Sequence, residues 1–268
     1  MPELPEVETI VRGLSRHVQN RRIQNVEFLW PGLVTGNAEE ATAQLRGQRI
    51  TALRRHGKYI VFELVRRRSK SCLVVHLRMT GNFIVDGESG PHTRAILHLE
   101  GGRALVYHDI RKFGRWQWSE ELPARLSDLG PEPLEISQEN FVARLRTRRG
   151  MAKASLLNQE FLRGLGNIYA DEALFRARIH PRANTAEISK ARAAGLHAAI
   201  RAVLSEAIAQ GGTTISNYVN SEGSQGYFQL STAVYGKTGE PCKVCAAPIR
   251  RIIVASRSTH FCPRCQRR

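Results

Sequence analysis

The chain has 268 residues, 42% apolar and 24% charged, which is globular composition with room for two compact units and a small third module, and excludes a disordered or fibrous chain. Forty Lys and Arg stand against 24 Asp and Glu, a formal net charge of +16, so a polyanion is the leading partner. No run of about 18 apolar residues and no basic amphipathic anchor points to a membrane, and MPELPEVETIV lacks the layout of a secretory signal, so a cytosolic protein is expected.

In the first segment Val7, Ile10, Val11 and Leu14 recur at i, i+3, i+4 and i+7, the spacing of one helix face. Pro5 and Glu6 suit its opening turn, because proline lacks an N–H that the first turn cannot use and a carboxylate complements the dipole. Residues 48–118 read as an antiparallel β unit, a sandwich, with short β-branched and aromatic runs near 50–53, 59–64, 72–77, 95–99 and 104–107. Cys72 lies in one of these runs and is expected to be a buried strand residue. Gly130-Pro131-Glu132-Pro133 is a break. Helices are expected near 138–146, 151–159, 168–177 and 185–210. The last is carried by Ile188, Leu196, Ile200, Val203, Leu204 and Ile208 and stopped at Gly211-Gly212. The polar, glycine-containing stretch 217–229 reads as a loop. From Glu240 onward seven Lys or Arg face one acid.

Cys242-x-x-Cys245 and Cys262-x-x-Cys265 are separated by sixteen residues. In a reducing compartment two such pairs, brought together by a β-hairpin, make a closed tetrahedral zinc site. Four thiolates leave no open position for water, so the zinc is expected to be structural. It would supply the stability that some 30 residues cannot supply alone. Pro2 is the second signal. Removal of Met1 would leave a secondary α-amine, and an α-amine with pKa near about 8 is roughly 10% unprotonated at pH 7, against well below 0.1% for a lysine. Attack of that amine on a sugar C1′ gives an iminium that keeps its charge and acts as an electron sink; Glu3 beside it could carry protons. Taken alone, PELPE reads more simply as a helix start.

The motifs decide between these readings. MPELPEVETIVRGL, RRHGKY at 54–59, HLRMTG at 76–81, DIRKFG at 109–114, LGPEPL at 129–134, GLGNIYADE at 164–172, GYFQ, VYGKTGEPC ending at Cys242, and SRSTHFCPRCQ at 256–266 resemble, in order and over the whole chain, the bacterial formamidopyrimidine-DNA glycosylases. The resemblance implies that Pro2 attacks C1′ of a damaged nucleotide, expels the base and leads β- and δ-elimination, with Glu3 as proton carrier and Glu6 holding the helix start and the sugar. It makes Lys58 the lysine that meets the phosphate flanking the lesion; His56 departs from relatives that pass directly from Arg to Gly or Ala. It makes Met79, Arg111 and Phe113 the trio that fills the void left by a flipped nucleotide. Asn167 and Arg257 become phosphate contacts, Arg257 with a part in catalysis, joined by His92 and Lys153. Residues 217–227 become a lid over the flipped base.

The implied fold is α+β in two domains: an N-terminal β-sandwich with flanking helices, and a C-terminal helix–two-turn–helix domain with a zinc-finger β-hairpin. The expected boundaries are 1–132 (catalytic), 133–234 (DNA-binding, with the lid) and 235–268 (finger), with DNA in the cleft between. The expected function is excision of oxidised purines, 8-oxoguanine and formamidopyrimidines, with strand cleavage. The expected protein is a monomer on double-stranded DNA bearing oxidised bases or abasic sites, in the bacterial cytoplasm on the nucleoid, with one structural Zn2+, no nucleotide cofactor and no membrane partner. One rival is an endonuclease VIII-like enzyme for oxidised pyrimidines, which typically opens PEGPE where this chain has Leu4. The other is a lesion binder without catalysis, for which an N-terminal amine would have no use.

Overall fold

Val7, Ile10, Val11 and Leu14 are all buried in helix α1 (Leu4–Val18) of the computed structural model, which describes residues 1–213 and 228–267. The same face runs one turn further, to buried Val18. The chain divides into two compact units, Met1–Ser127 with Gln210–Gln229, and Asp128–Ala209 with Leu230–Arg268.

The first unit is an antiparallel β-sandwich. Its strands are β1 (Ile23–Phe28), β2 (Arg49–His56), β3 (Tyr59–Arg66), β4 (Ser69–His76), β5 (Asn82–Val85), β6 (Thr93–Leu99), β7 (Arg103–His108) and β8 (Arg115–Ser119). One sheet has the order β1-β6-β7-β5 and the other β2-β3-β4-β8. Strand β6 alternates buried and half-buried residues, as a sheet with one covered face requires. Both sheets and α1 contribute to one core, in which Trp116 meets the rings of Phe28, Phe83 and Tyr107 at 5.2–5.8 Å. Cys72 is buried on β4. Three strands and a helix exceed what the sequence pattern announced: β1, β5, β8 and α2 (Ala38–Leu45), the last opened by Asn37, whose side chain accepts from the Glu39 and Glu40 N–H groups. A short helix α3 (Ala124–Ser127) closes the segment.

The second unit holds α4 (Gln138–Thr147), α5 (Ala152–Leu157), α6 (Asn167–Arg176) and α7 (Lys190–Ala209), then the hairpin of β9 (Arg250–Val254) and β10 (Arg257–Phe261). The helix expected over 185–210 is two pieces. Asn184 caps a 3-10 turn, Thr185–Glu187, and Ser189 then starts α7, accepting the Arg192 N–H on its hydroxyl and the Ala193 N–H on its carbonyl. Ile188 keeps the helical period and is buried all the same. The turns between α5 and α6 are braced by Gln159, whose amide donates to the Leu157 and Leu165 carbonyls and accepts from the Gly164 N–H. Gly164 has φ +87°, a conformation that favours glycine. Among the described residues no helix is long and apolar enough to cross a membrane.

Candidate active site and nucleic-acid interface

The start of α1 is built as a capping box: the Glu3 carboxylate takes the N–H of Glu6, and Glu6 Oε2 takes the N–H of Glu3 at 2.8 Å. Pro2, Glu3 and Glu6 are all buried. Glu6 Oε1 accepts two further bonds, from the Thr213 N–H at 2.8 Å and the Thr213 hydroxyl at 3.0 Å. Gly212, just before, has φ +80°, and a Cβ there would lie 2.9–3.3 Å from Glu6. The glycine pair that stops the helical pattern therefore also lets the backbone reach the helix start.

Lys58 is buried in the two-residue turn with Gly57, between the paired ends His56 and Tyr59 of β2 and β3. With His56 paired to Tyr59 the hairpin is tight, and the His56 ring reaches the Leu126 carbonyl at 2.8 Å. Arg55 ties this end of β2 to α1 through Glu8 at 2.8 Å. His76, opposite Tyr59 on β4, stacks edge-on to that ring and accepts the Arg78 N–H on Nδ1 at 2.9 Å. Burial, then the positive charges of Arg78, Lys58 and Arg125, hold its pKa down to about 3, so the ring is neutral.

Met79, Arg111 and Phe113 come together although they lie on two separate turns. The Arg111 guanidinium sits 4.7 Å over the Phe113 ring and 3.0 Å from Met79 Sδ. Met79 and Phe113 remain 41% and 45% exposed, so both present apolar surface to solvent beside the guanidinium. A fully buried carboxylate organises both turns: Asp109 accepts the Thr80 hydroxyl and, at 2.7 Å, the Gly114 N–H, while Thr80 Oγ1 accepts the Arg111 N–H. A Cβ on Gly81 or Gly114 would collide with the phenol oxygen of Tyr107. His92 is exposed on the adjoining segment, its carbonyl taking the Asp109 N–H.

In the second unit the four cysteine sulfurs lie within 4.8 Å of one another, with Cys242 to Cys265 at 3.9 Å and Cys245 to Cys262 at 3.4 Å. A tetrahedron with Zn–S arms of about 2.3 Å has edges of about 3.8 Å, so the thiols fit that ion. Backbone N–H groups of Val244 and Cys265 point at Cys242 and Cys262 sulfurs at 3.4 Å, as suits thiolates. Arg257 is exposed at the hairpin turn formed with Ala255 and Ser256. One residue on, the Ser258 carbonyl is held by Asn167 Nδ2 at 3.0 Å and Lys153 Nζ at 3.1 Å. Lys153 is 0% exposed and ion-paired with Asp171 at 2.6 Å; Asp171 also accepts the His260 N–H at 2.8 Å. Its charge is thus satisfied inside the protein.

Sequence reasoning missed four groups: Thr213, Asp109, and the neighbours Asp171 and Glu172. Glu172 is buried and accepts three backbone N–H bonds, from Ala233, Val234 and Tyr235 at 2.8–2.9 Å. The signal for the last two was available, since acids set among Ala, Leu and Phe in a helix the period buries must be paired. Residues 217–227, read as the lid, lie outside the described residues.

Residues 1–116 match the family described as formamidopyrimidine-DNA glycosylase N-terminal domain, 129–219 its H2TH domain, and 239–268 the zinc finger found in FPG and IleRS. The chain is 51% identical over 269 residues to formamidopyrimidine-DNA glycosylase of Solibacter usitatus, covering 100% of both chains, and 42% identical to that of Bacillus subtilis, covering 99% of each. Among solved structures it is similar to a Lactococcus lactis FPG mutant bound to Fapy-dG-containing DNA, with TM-score 0.91, 37% identity and 100% of both chains covered. It is also similar, at TM-score 0.90 and 37% identity over 100% of both chains, to MutM in complex with DNA containing carbocyclic 8-oxo-G.

Proposed function

The chain belongs to the formamidopyrimidine-DNA glycosylase family, and from that premise we propose how its residues act. The enzyme removes oxidised purines from duplex DNA and cuts the strand at the abasic site it makes. Pro2, freed by loss of Met1, is the nucleophile. Its amine bonds to C1′, the glycosidic C–N bond breaks, and the base leaves with a proton. The iminium left on the opened sugar draws electrons from the chain of carbons, so the 3′ and then the 5′ phosphate depart by β- and δ-elimination. Glu3 moves protons to the sugar and Glu6 fixes the helix start. Lys58 meets the flanking phosphate. Met79, Arg111 and Phe113 fill the gap in the stack and meet the widowed base. Asn167, His92 and Arg257 contact the DNA backbone, Arg257 beside the reacting sugar; Lys153 acts through the Ser258 carbonyl it holds. Zinc on Cys242, Cys245, Cys262 and Cys265 supplies the rigidity of the hairpin. This reading also makes the protein a monomer working on the bacterial nucleoid, without a nucleotide cofactor.

One observation carries the reading: an apolar wedge, a guanidinium and an aromatic ring, drawn from two turns, meet at one exposed point. The test is borohydride trapping on duplex DNA with 8-oxoguanine opposite cytosine, followed by mass spectrometry of the cross-linked peptide. An adduct on Pro2 is expected. Trapping with thymine glycol instead would support a pyrimidine-lesion enzyme, and tight binding with no adduct on either, from protein with a free Pro2, would leave only a lesion binder.

A further inference from the structure

We propose that Tyr107 is a positioning residue for base flipping: its phenol oxygen is the spacer that sets the separation of the two turns carrying Met79, Arg111 and Phe113. The inference rests on the reading of that trio as the side chains that fill the gap left by a flipped nucleotide.

Tyr107 stands on β7, paired with Phe83 of β5 on one side and with Ala95 of β6 on the other, so its strand is held along both edges. Its side chain is fully buried, with the ring 5.0 Å from that of Phe83 and 5.2 Å from that of Trp116. The tip meets two glycines. A Cβ built on Gly81 would lie 2.1 Å from the phenol oxygen, and one built on Gly114 would lie 2.0 Å from it, so the oxygen rests against the backbone of both. Each glycine closes one of the turns. The Gly81 N–H donates to the Leu77 carbonyl at 3.0 Å, around Met79, and the Gly114 N–H donates to Asp109 at 2.7 Å, around Arg111 and Phe113.

The oxygen gains no hydrogen bond there. The indole N–H of Trp116 approaches it without reaching hydrogen-bond geometry, and among the described residues both groups are buried and unpaired. A buried hydroxyl without a partner lowers stability relative to phenylalanine in the same place. What the oxygen contributes is contact with the two turns. Asp109 draws those turns together through Thr80 and Gly114, and such a pull fixes a distance only against a stop. Both turns are also strained: Arg78, next to Met79, has φ +56°, and Lys112, between Arg111 and Phe113, has φ +58°. Residues other than glycine hold this conformation where the surrounding contacts over-determine it. The carboxylate and the phenol oxygen together do so, and the Arg111 guanidinium lies 4.7 Å over the Phe113 ring and 3.0 Å from Met79 Sδ as a result.

The experiment compares Tyr107→Phe with the parent chain, each with a free Pro2, on two substrates. In duplex DNA with 8-oxoguanine opposite cytosine the base must be flipped and its gap filled, whereas a single strand with an abasic site has no pair to open. Tyr107→Phe should cut the duplex more slowly by about fivefold or more. Borohydride should trap it on the abasic single strand at the parent rate, and its urea midpoint should be no lower than the parent's. Gly114→Ala should slow duplex cutting by about tenfold or more alone, and by less than about threefold when added to Tyr107→Phe, where the new Cβ takes the place of the oxygen. Parent-like duplex cutting by Tyr107→Phe, or an equal cost of Gly114→Ala in both backgrounds, would overturn the proposal. An equal loss on both substrates, or a loss matched by a lower midpoint, would overturn it too and leave Tyr107 a core residue only. A parent chain that never forms the Pro2 adduct would overturn the underlying reading and this inference with it, a failure told apart from the others because it precedes any substitution.

Discussion

Glu6 accepts from Glu3 on one oxygen and twice from Thr213 on the other, so its loss orphans two buried N–H groups. Glu6→Leu should lower stability by about 2–6 kcal/mol, at about 1–3 kcal/mol per unmet group. Gly212→Ala should cost about 1–3 kcal/mol through its positive φ and should also push Glu6 aside. Urea denaturation checks both, and parent-like midpoints would mean that the helix start is held by something else. His76 sets a pH dependence. The unfolded ring takes a proton below about 6.5, while the folded ring resists until about 3. Falling pH therefore favours the unfolded chain across that window, at up to about 1.4 kcal/mol per unit. His76→Asn, which can still accept the Arg78 N–H, should flatten the slope of stability between pH 6 and 4; an unchanged slope would assign the acid sensitivity to other groups. Such residue-scale roles were partly legible. The cysteines announce a metal site by their spacing, whereas Pro2 and Glu3 read alone as a helix start and Met79 and Phe113 as ordinary core residues. Their exposure follows from turns that only tertiary structure defines.

At the scale of elements, periodicity found what one buried face dictates. Helix α1 and strands β3, β4 and β6 follow it, because each lays an unbroken apolar row on the core. Strand β1, IQNVEF, buries only Ile23 and Val26, one residue in three, and so shows no period-two signal. Helix α2 is amphipathic over eight residues, too short to stand out from its polar surroundings. The break at Ile188 and Ser189 was hidden because Thr185, Ile188, Ala193 and Leu196 are buried on both sides of it. The finger was legible in outline from cysteine spacing, and its docking was not: Lys153, Asn167 and Asp171 reach β10 through backbone groups that carry no side-chain signature. Zinc removal should therefore do more than loosen the hairpin. Verified metal-free protein should lose DNA binding while keeping the circular-dichroism signal of α4 to α7, and intact binding would show that the hairpin holds its shape without metal.

At the scale of the molecule, the first unit is assembled from two stretches of chain, because Gln210–Gln229 returns to it after the helices. The sandwich sequence ends at Ser127, yet Glu6 is completed only by Thr213. A fragment of residues 1–127 should be less stable than the same unit in the full chain, by about 2 kcal/mol for the two missing bonds, read as a lower urea midpoint. Its Val7 amide should exchange faster with solvent; equal protection would mean that the returning stretch adds nothing. The buried Asp109 joins the turns of Met79 and Arg111 in a comparable way, bonding Thr80 across 29 positions of sequence. Mechanically the two turns share one fulcrum, because the bonds that brace both of them converge on the same buried carboxylate.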